Sequence, residues 1–259
     1  MANLQLFARC EGSGPPLVIL HGLFGSSRNW ASQSRRLAAR WQVAALDLRN
    51  HGESPWSAEM SYTAMAGDVV SYLDAAGLAE AVVLGHSMGG KAAMAAALST
   101  PARLRALVVV DMAPVRYASG LEQYVEAMRA VDLRGATRRA EVDRALSEAV
   151  PDRDLRGFLL QNLVSEDRQF RWRLNLEALG RNMSEIMDFP EDLLARRYDG
   201  PACFIYGAAS PYVGIERQAA IRRLFPAADF LPIAGAGHWV HAEAPEAFMT
   251  ALEGFLGRL

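Results

Sequence analysis

The segment from residue 85 to residue 89 contains a serine whose neighbours favour nucleophilic chemistry. It reads Gly-His-Ser-Met-Gly, follows an apolar run at 81–84 and precedes a run rich in small residues at 91–98. This pattern predicts a strand, a tight turn and a helix, with Ser87 presented on the turn as a nucleophile. Glycines are expected at both ends because a side chain there would collide with so strained a turn. The helix N-terminus would then stabilise an oxyanion formed beside the serine.

A serine nucleophile needs a general base, and a histidine near the end of the chain is the candidate. His238 stands in a loop of small residues, Gly-Ala-Gly-His, directly before a predicted helix. A flexible loop at a strand end lets its imidazole reach a serine from another strand end, where it acts as base and then as acid. His241 is the less favoured alternative, since the beginning helix carries it away from the loop tip.

The acid that orients the histidine is harder to assign from sequence. Its usual position follows the predicted strand at 203–206, but residues 208–213 contain no carboxylate. The earlier strand at 107–110 ends directly on Asp111. A carboxylate at a strand end between the serine and the histidine in sequence fits the role, so we assign Asp111 as the acid, with Glu216 in reserve.

Backbone amides close to the serine are expected to bind the oxyanion. His-Gly-Leu-Phe-Gly-Ser follows the first predicted parallel strand at residues 21–26. The glycines there let backbone N–H groups turn towards the nucleophile. We therefore predict an oxyanion hole formed by the N–H groups of Leu23 and Met88, with the N–H of Phe24 as the nearest competitor for the first of them.

Several other polar residues near these strand ends are expected to support loops. Asp47 and His51 lie in a turn where they are predicted to satisfy buried backbone groups. His21 and His86 are predicted to organise neighbouring loops through hydrogen bonds. Lys91, one helical turn beyond the serine, is predicted to form a structural ion pair, with contact to a substrate carboxylate as the alternative.

Large side chains near these segments are the candidates for a substrate pocket. They are Phe24, Tyr117, Trp172 and Trp239. Most of the aromatic residues after position 114 are expected to pack in a local core, and only some of them to face a ligand. The chemistry of a serine, a histidine and an aspartate requires no metal ion and no organic cofactor.

The elements that must position these residues alternate along the chain. Apolar runs bounded by turn residues predict strands at 17–20, 43–48, 81–84, 107–110, 203–206 and 230–233. Helical patterns lie between them at 62–76, 91–98 and 218–224. This alternation predicts an α/β fold with a mostly parallel central sheet and helices on both faces. An antiparallel strand is expected within 4–10.

The strand pattern disappears between residues 114 and 198. Only amphipathic helices are predicted there, for example at 121–130, 138–150 and 154–163. A purely helical insertion between two core strands is typical of a lid over an active site. We therefore predict an α/β core formed by residues 1–113 and 199–259, with residues 114–198 as a helical lid inserted late in the chain.

Composition narrows the range of partners. Lys and Arg number 27 against 29 Asp and Glu, so the formal net charge is −2 and no nucleic-acid surface is predicted. No apolar run reaches transmembrane length and no secretion signal opens the chain, so we expect no membrane insertion and a cytoplasmic location. Cys10 and Cys203 are expected to be buried free thiols. No pattern predicts an oligomeric state.

Five stretches together resemble a group of α/β-hydrolases, the bacterial YbfF-type esterases and the mammalian abhydrolase-domain 11 proteins. They are HGLFGSSRNW at 21–30, DLRNHG at 47–52, GHSMGGK at 85–91, DMAP at 111–114 and GHWVHA at 237–242. The resemblance implies the α/β-hydrolase fold and a serine esterase or thioesterase acting on short to medium acyl chains. It also implies a triad acid after the earlier strand, in agreement with Asp111.

The sequence thus predicts an enzyme that hydrolyses small-molecule esters or thioesters through Ser87, His238 and Asp111. The same three residues would serve a cofactor-free perhydrolase or a hydrolase of carbon–carbon bonds, and sequence does not separate these activities. A ligand-binding protein that has kept the fold but lost turnover is a third alternative. Epoxide hydrolases and dehalogenases are disfavoured because they need an aspartate at the position of the serine.

Overall fold

The computed structural model describes residues 3–118, 120–167 and 169–259, which form a seven-stranded sheet and a separate hairpin. The strands are β1 (Ala8–Glu11), β2 (Pro16–Leu20), β3 (Gln42–Leu46), β4 (Ala81–His86), β5 (Leu104–Val110), β6 (Leu163–Glu166), β7 (Gln169–Trp172), β8 (Ala202–Gly207) and β9 (Ala228–Ile233). The sheet order is β1-β3-β2-β4-β5-β8-β9. Only β1 runs antiparallel to its neighbour in this sheet. The predicted mostly parallel sheet with an antiparallel start is confirmed.

Helices cover both faces of the sheet. They are α1 (Ala31–Leu37), α2 (Tyr62–Ala75), α3 (Met88–Ser99), α4 (Glu122–Ala130), α5 (Arg139–Leu146), α6 (Arg153–Leu160), α7 (Leu176–Arg181), α8 (Met183–Met187), α9 (Ile215–Leu224), α10 (Val240–Glu243) and α11 (Pro245–Leu256). Helix α3 packs on β4 and β5, and α11 packs on β8 and β9. The predicted α/β class with helices on both faces is therefore confirmed.

Two apolar cores lie on opposite faces of the sheet. Along β2, Val18 and Leu20 belong to one core and Leu17 and Ile19 to the other, and all four are fully buried. Successive side chains of a strand point to opposite faces, so a strand with four such residues needs apolar cover on both sides. This double cover fixes the carboxyl ends of the parallel strands, where the predicted site residues stand.

The segment between β5 and β8 contains a hairpin as well as helices α4 to α8. Strands β6 and β7 pair antiparallel, with Leu163 opposite Trp172. The prediction of helices alone was wrong because each strand has only four residues and the sequence between them contains no Asn-Gly or Asp-Gly pair, which would indicate a hairpin. The division into core and lid stays a prediction, and residues 1, 2, 119 and 168 within it lie outside the described residues.

Polar contacts attach this inserted segment to the rest of the protein. The Asn162 side-chain amide donates to the Phe24 carbonyl oxygen at 2.8 Å. The Tyr62 hydroxyl donates to the Ile186 carbonyl oxygen at 2.5 Å. Both bonds join the insertion to segments that follow the carboxyl ends of β2 and β3.

Two further expectations concern the whole chain. Among the described residues, no helix combines the length and apolar character needed to cross a bilayer. Both cysteines are free; Cys203 is buried in β8, as predicted, but Cys10 is exposed. The prediction for Cys10 was wrong because β1 is an edge strand and offers its residues less cover than a central strand does.

Candidate active site

The turn between β4 and α3 holds Ser87 in a strained backbone conformation. Its φ of 54° and ψ of −119° lie in a region that costs an L-residue about 1–3 kcal/mol. A Cβ on Gly85 would lie 2.1 Å from the Gly89 carbonyl oxygen, and one on Gly89 would lie 2.5 Å from the Leu20 carbonyl oxygen. Only glycine fits at both positions, so the predicted strand, turn and helix and the reason for their two glycines are confirmed.

The structure brings the three predicted reactive residues together. His238 Nε2 lies 3.1 Å from Ser87 Oγ, and His238 Nδ1 lies 2.7 Å from Asp111 Oδ2. The Asp111 side chain is fully buried, whereas 21% of the His238 side chain is exposed. An ionised carboxylate only accepts hydrogen bonds, so Nδ1–H donates to Asp111 and Nε2 faces the Ser87 hydroxyl with its lone pair. Glu216, the reserve acid, lies exposed in the first turn of α9, outside these contacts.

Two residues after β8 that the sequence analysis did not select also contact this group. The Ser210 hydroxyl donates to Asp111 Oδ2 at 2.5 Å, while the Gly207 N–H donates to Oδ1 at 3.3 Å. The Tyr212 ring stacks on the His238 imidazole, with centroids 4.2 Å apart. Residues 208–213 contain no carboxylate, and the signal available in the sequence for Ser210 was a serine at the end of a strand that lies beside β5.

The loop after β2 passes directly beside the serine. A Cβ on Gly22 would lie 3.2 Å from the Ser87 Cβ. The Phe24 N–H donates to His51 Nε2 at 3.3 Å, so the competing donor of the predicted oxyanion hole is already engaged. The N–H groups of Leu23 and Met88 stay the predicted donors.

Two buried histidines hold this loop and the turn after β3. The Leu48 N–H donates to His21 Nε2 at 2.9 Å, and His51 Nδ1 lies 2.9 Å from the Arg49 carbonyl oxygen. Burial lowers the pKa of His21 and lowers the pKa of His51 to about 3, so both rings stay neutral at pH 7. Asp47 accepts from the Ser27 N–H in the loop after β2 and from the Glu53 N–H in the turn after β3. The predicted supporting roles of these residues are confirmed.

The other two histidines of the site also act as supports. His86 Nε2 lies 2.9 Å from the His238 carbonyl oxygen and thereby holds the loop that carries the base. His241 stacks on Trp30 with ring centroids 4.3 Å apart. Burial lowers the pKa of His86 well below its usual range and lowers that of His241 to about 4. Neither ring competes with His238 for the Ser87 hydroxyl among the described hydrogen bonds.

A largely apolar cavity of about 250 Å³ opens at Ser87 and His238. Its apolar wall consists of Leu23, Phe24, Trp30, Leu121, Tyr124, Leu155, Phe158, Tyr212 and Trp239. Four of these residues belong to the insertion between β5 and β8. The cavity therefore lies between the sheet edge and the inserted segment, where a small apolar molecule can approach the serine.

The four predicted pocket residues divide into three groups. Phe24 and Trp239 line the large cavity, whereas Tyr117 lines a smaller cavity that also reaches Ser87. The structure does not place Trp172 at either cavity. Its side chain is buried and its indole N–H donates to the Met128 carbonyl oxygen at 3.0 Å. As the last residue of β7, it packs in the core of the inserted segment.

The smaller cavity, of about 30 Å³, contains the chain's only lysine. Lys91 Nζ donates to the carbonyl oxygens of Met187 at 2.9 Å and Asp188 at 2.7 Å. The predicted ion pair was wrong, because α8 ends at this point and its free carbonyl groups accept from the ammonium group. Burial lowers the pKa of Lys91 to about 7, despite the opposing charge of Asp188.

The parallel sheet and the arrangement of Ser87, His238 and Asp111 define the class of protein, an α/β-hydrolase. A sequence profile of the alpha/beta hydrolase fold family matches residues 15–245, and the chain belongs to that family.

Individual relatives indicate a narrower group within this family. The chain is 43% identical over 251 residues to the sn-1-specific diacylglycerol lipase ABHD11 of Xenopus tropicalis. The aligned region covers 94% of this chain and 78% of the relative. It is 37% identical over 250 residues to esterase YbfF of Escherichia coli, and this aligned region covers 96% of each chain. A solved structure, "Marine microorganism esterase", is 35% identical in sequence and superposes with a TM-score of 0.94. The match covers 98% of this chain and 100% of the chain in that structure. The predicted resemblance to this group is confirmed.

Proposed function

We propose that the protein hydrolyses short- to medium-chain esters through an acyl-enzyme formed on Ser87. The observation that carries this proposal is the continuous hydrogen-bonded series from Ser87 Oγ through the His238 imidazole to the Asp111 carboxylate. A serine alone is a weak nucleophile at neutral pH. A neighbouring base, oriented by a buried carboxylate, is the arrangement that activates it.

The protein is a carboxylic ester hydrolase of the α/β-hydrolase family. Its named relatives include esterases and lipases that are 37–43% identical to it over more than nine-tenths of the chain. Which esters it uses, and whether it also uses thioesters, belongs to the proposal.

Acylation begins when Ser87 Oγ attacks the carbonyl carbon of the ester. As the new carbon–oxygen bond forms, the hydroxyl proton moves to His238 Nε2 and the carbonyl electron pair moves onto the oxygen. Asp111 keeps Nδ1 protonated and stabilises the imidazolium ion. When the tetrahedral intermediate collapses, the bond to the alcohol breaks and Nε2–H protonates the departing oxygen, which leaves an acyl group on Ser87.

The oxyanion of the tetrahedral intermediate requires donors that already point at it. The N–H groups of Leu23 and Met88 are proposed for this role, since the Phe24 N–H is bound to His51. Met88 is the first residue of α3, so its N–H is one of the free donors at that helix's positive end. Such donors act from fixed positions and need no rearrangement during the reaction.

Deacylation repeats the same steps with water as the nucleophile. His238 Nε2 takes a proton from water, the hydroxide attacks the acyl carbon, and the same nitrogen returns the proton to Ser87 Oγ. The large cavity that joins His238 and Ser87 is partly open to solvent, since 41% of Trp239 and 21% of the His238 side chain are exposed. Water therefore has a route to the acyl-enzyme once the alcohol has left.

Residues 114–198 are proposed as the lid that decides which substrates enter. Leu121, Tyr124, Leu155 and Phe158 from this segment form one wall of the large cavity. Their apolar side chains would contact the hydrocarbon part of an ester and exclude water from the reaction. A thioester would react through the same steps, with a thiolate as the leaving group.

Hydrolysis of a series of p-nitrophenyl esters, from acetate to decanoate, tests this function. We expect turnover, with kcat/KM highest for acyl chains of short to medium length. The absence of turnover on every ester would contradict the proposal and favour a perhydrolase, a carbon–carbon bond hydrolase or a binding protein. Covalent labelling by a fluorophosphonate then separates the two enzymes from the binding protein, because an activated Ser87 reacts whatever the natural substrate is.

The hydrogen bond from Ser210 to Asp111 predicts a positioning role for this hydroxyl. Replacement by alanine removes one donor from a buried carboxylate, a change of about 1.5–3 kcal/mol when the acceptor is charged. We expect Ser210→Ala to lower kcat by about tenfold, since 1.4 kcal/mol corresponds to a factor of ten. Ser210→Thr, which keeps the hydroxyl, should recover most of that loss. Equal rates for the alanine variant and the wild type would contradict the role.

A further inference from the structure

The two cavities that meet at Ser87 differ in which reacting groups they contain. His238 lines the large cavity and is absent from the lining of the small one, whereas Met88 lines the small one. The leaving group must lie beside His238, because Nε2–H protonates it as it departs. In the proposed mechanism the alcohol therefore occupies the large cavity and the acyl group extends into the small one.

The wall of the small cavity contains a buried cation without a paired carboxylate. Lys91 is 1% exposed, and its two described hydrogen bonds go to the backbone carbonyl oxygens at the end of α8. Among the described residues, no carboxylate oxygen forms an ion pair with Nζ. The Asp188 carboxylate is nearby, but its oxygens bind Arg116 and the Phe189 N–H. An ammonium group has three N–H donors, so one donor of Lys91 has no described hydrogen-bond acceptor.

Two of the tyrosine hydroxyls around this cavity, those of Tyr62 and Tyr117, are already used. The Tyr117 hydroxyl accepts from the Ala113 N–H at 2.9 Å and donates to the Tyr212 carbonyl oxygen at 2.8 Å. Its ring centroid lies 5.0 Å from Lys91 Nζ, which gives the cation partial compensation. Burying this cation without an ion pair is costly, which is why burial lowers the pKa of Lys91 to about 7 against the opposing charge of Asp188. An anionic group entering the cavity would favour the charged form by pairing with it directly.

We propose that the small cavity is the acyl subsite and that Lys91 selects a short acyl group ending in a carboxylate. The substrates would be half-esters or half-thioesters of short dicarboxylic acids. This inference rests on the proposed ester hydrolysis and goes beyond it by naming the substrate class. The cavity of about 30 Å³ has room for about two water-sized groups, which suits a carboxylate and excludes a long chain. Three methionines line it: Met88, Met112 and Met187. Their flexible side chains can shift to make room for an acyl group that is one methylene longer.

Pairs of ethyl esters that differ only in charge test the inference with the wild-type protein. Monoethyl malonate is compared with ethyl acetoacetate, and monoethyl succinate with ethyl levulinate; in each pair a methyl group replaces one carboxylate oxygen. We expect kcat/KM, measured by titration of released acid, to be at least tenfold higher for the half-ester in at least one pair. Equal values, or a preference for the neutral ester in both pairs, would overturn it.

A pair of variants shows whether Lys91 is the cause. Lys91→Met keeps the length of the side chain and removes the charge, so the ratio of kcat/KM between the two esters should fall by at least tenfold. Arg217→Met is the matched control, since this guanidinium lies 4.8 Å from the Tyr117 ring but lines neither cavity. Its ratio should equal that of the wild type. A Lys91→Met protein that is folded and keeps the wild-type ratio would overturn the inference.

Binding to Ser87→Ala separates a failure of this inference from a failure of the proposed function. Measured by calorimetry, Ser87→Ala should bind the half-ester at least tenfold more tightly than the neutral ester of the same pair. The double variant with Ser87→Ala and Lys91→Met should bind the two esters equally. If no ester is turned over, the proposed function fails, and these affinities still decide the subsite. If Lys91→Met does not fold, the wild-type ratio and the Ser87→Ala affinities decide it. Equal affinities would overturn it.

Discussion

Replacing Ser87 with alanine is expected to lower kcat for p-nitrophenyl butyrate by about five to six orders of magnitude. The hydroxyl 3.1 Å from His238 Nε2 is the only group proposed to form the acyl-enzyme, and removal of a triad serine costs about this much in enzymes that use the same chemistry. Stopped-flow and long-time assays of p-nitrophenol release with wild type and variant measure the ratio. Residual activity above one-hundredth of the wild-type rate would show that another group is the nucleophile.

Ser87→Gly is the matched companion of this variant. It removes the same hydroxyl, so its loss of activity should equal that of the alanine variant. It also removes the Cβ from a residue whose φ is 54°, a conformation that glycine adopts without strain. We expect its free energy of unfolding to exceed that of Ser87→Ala by about 1 kcal/mol. Equal stability of the two variants would show that the turn stores no such strain.

Replacing Asp111 with asparagine is expected to lower kcat by about 10⁴-fold. Asparagine has nearly the same shape, so the loop should keep its geometry, but its amide group favours the imidazole tautomer that points a proton at Ser87. The corresponding exchange in serine proteases costs about this factor for the same reason. Kinetics at saturating ester, with circular dichroism to show that the variant is folded, measure the effect.

Glu216→Gln is the control for the assignment of the acid. Glu216 lies exposed at the start of α9, so its replacement should leave kcat/KM at the wild-type value. A large loss in Glu216→Gln together with a small loss in Asp111→Asn would reverse the assignment. The 2.7 Å contact between His238 Nδ1 and Asp111 Oδ2 predicts the opposite result.

The sequence predicted the parallel strands of the sheet because each contains a run of apolar residues bounded by turn residues. Each of the six predicted parallel strands is present, and the differences are confined to their ends. Short, weakly patterned elements were harder to predict. The hairpin β6–β7 has strands of only four residues, and β6 reads Leu-Val-Ser-Glu without alternation between polar and apolar residues. Its residue Asp167 has a φ of 49°, and no glycine stands beside it in the sequence to indicate a turn.

The predicted site residues came from a local rule that folding preserves. In a parallel sheet the residues after each strand lie at one edge, so Ser87, Asp111 and His238 were expected to meet although they stand up to 151 positions apart. Ser210 follows the same rule, but a serine in a loop does not by itself indicate contact with a carboxylate. Trp172 was misplaced for the related reason that an aromatic residue fits a core and a pocket equally well.

By itself the sequence determined the order of the core strands, the strained serine turn and the placement of three candidate reactive side chains at strand ends, because each depends on residues close together in the chain. The tertiary structure decided what depends on packing between distant segments. It placed Ser210 against Asp111, engaged the Phe24 N–H with His51, and buried Lys91 beneath the end of α8. Burial and the choice of hydrogen-bond partner arise only when those segments meet, and no local pattern encodes them.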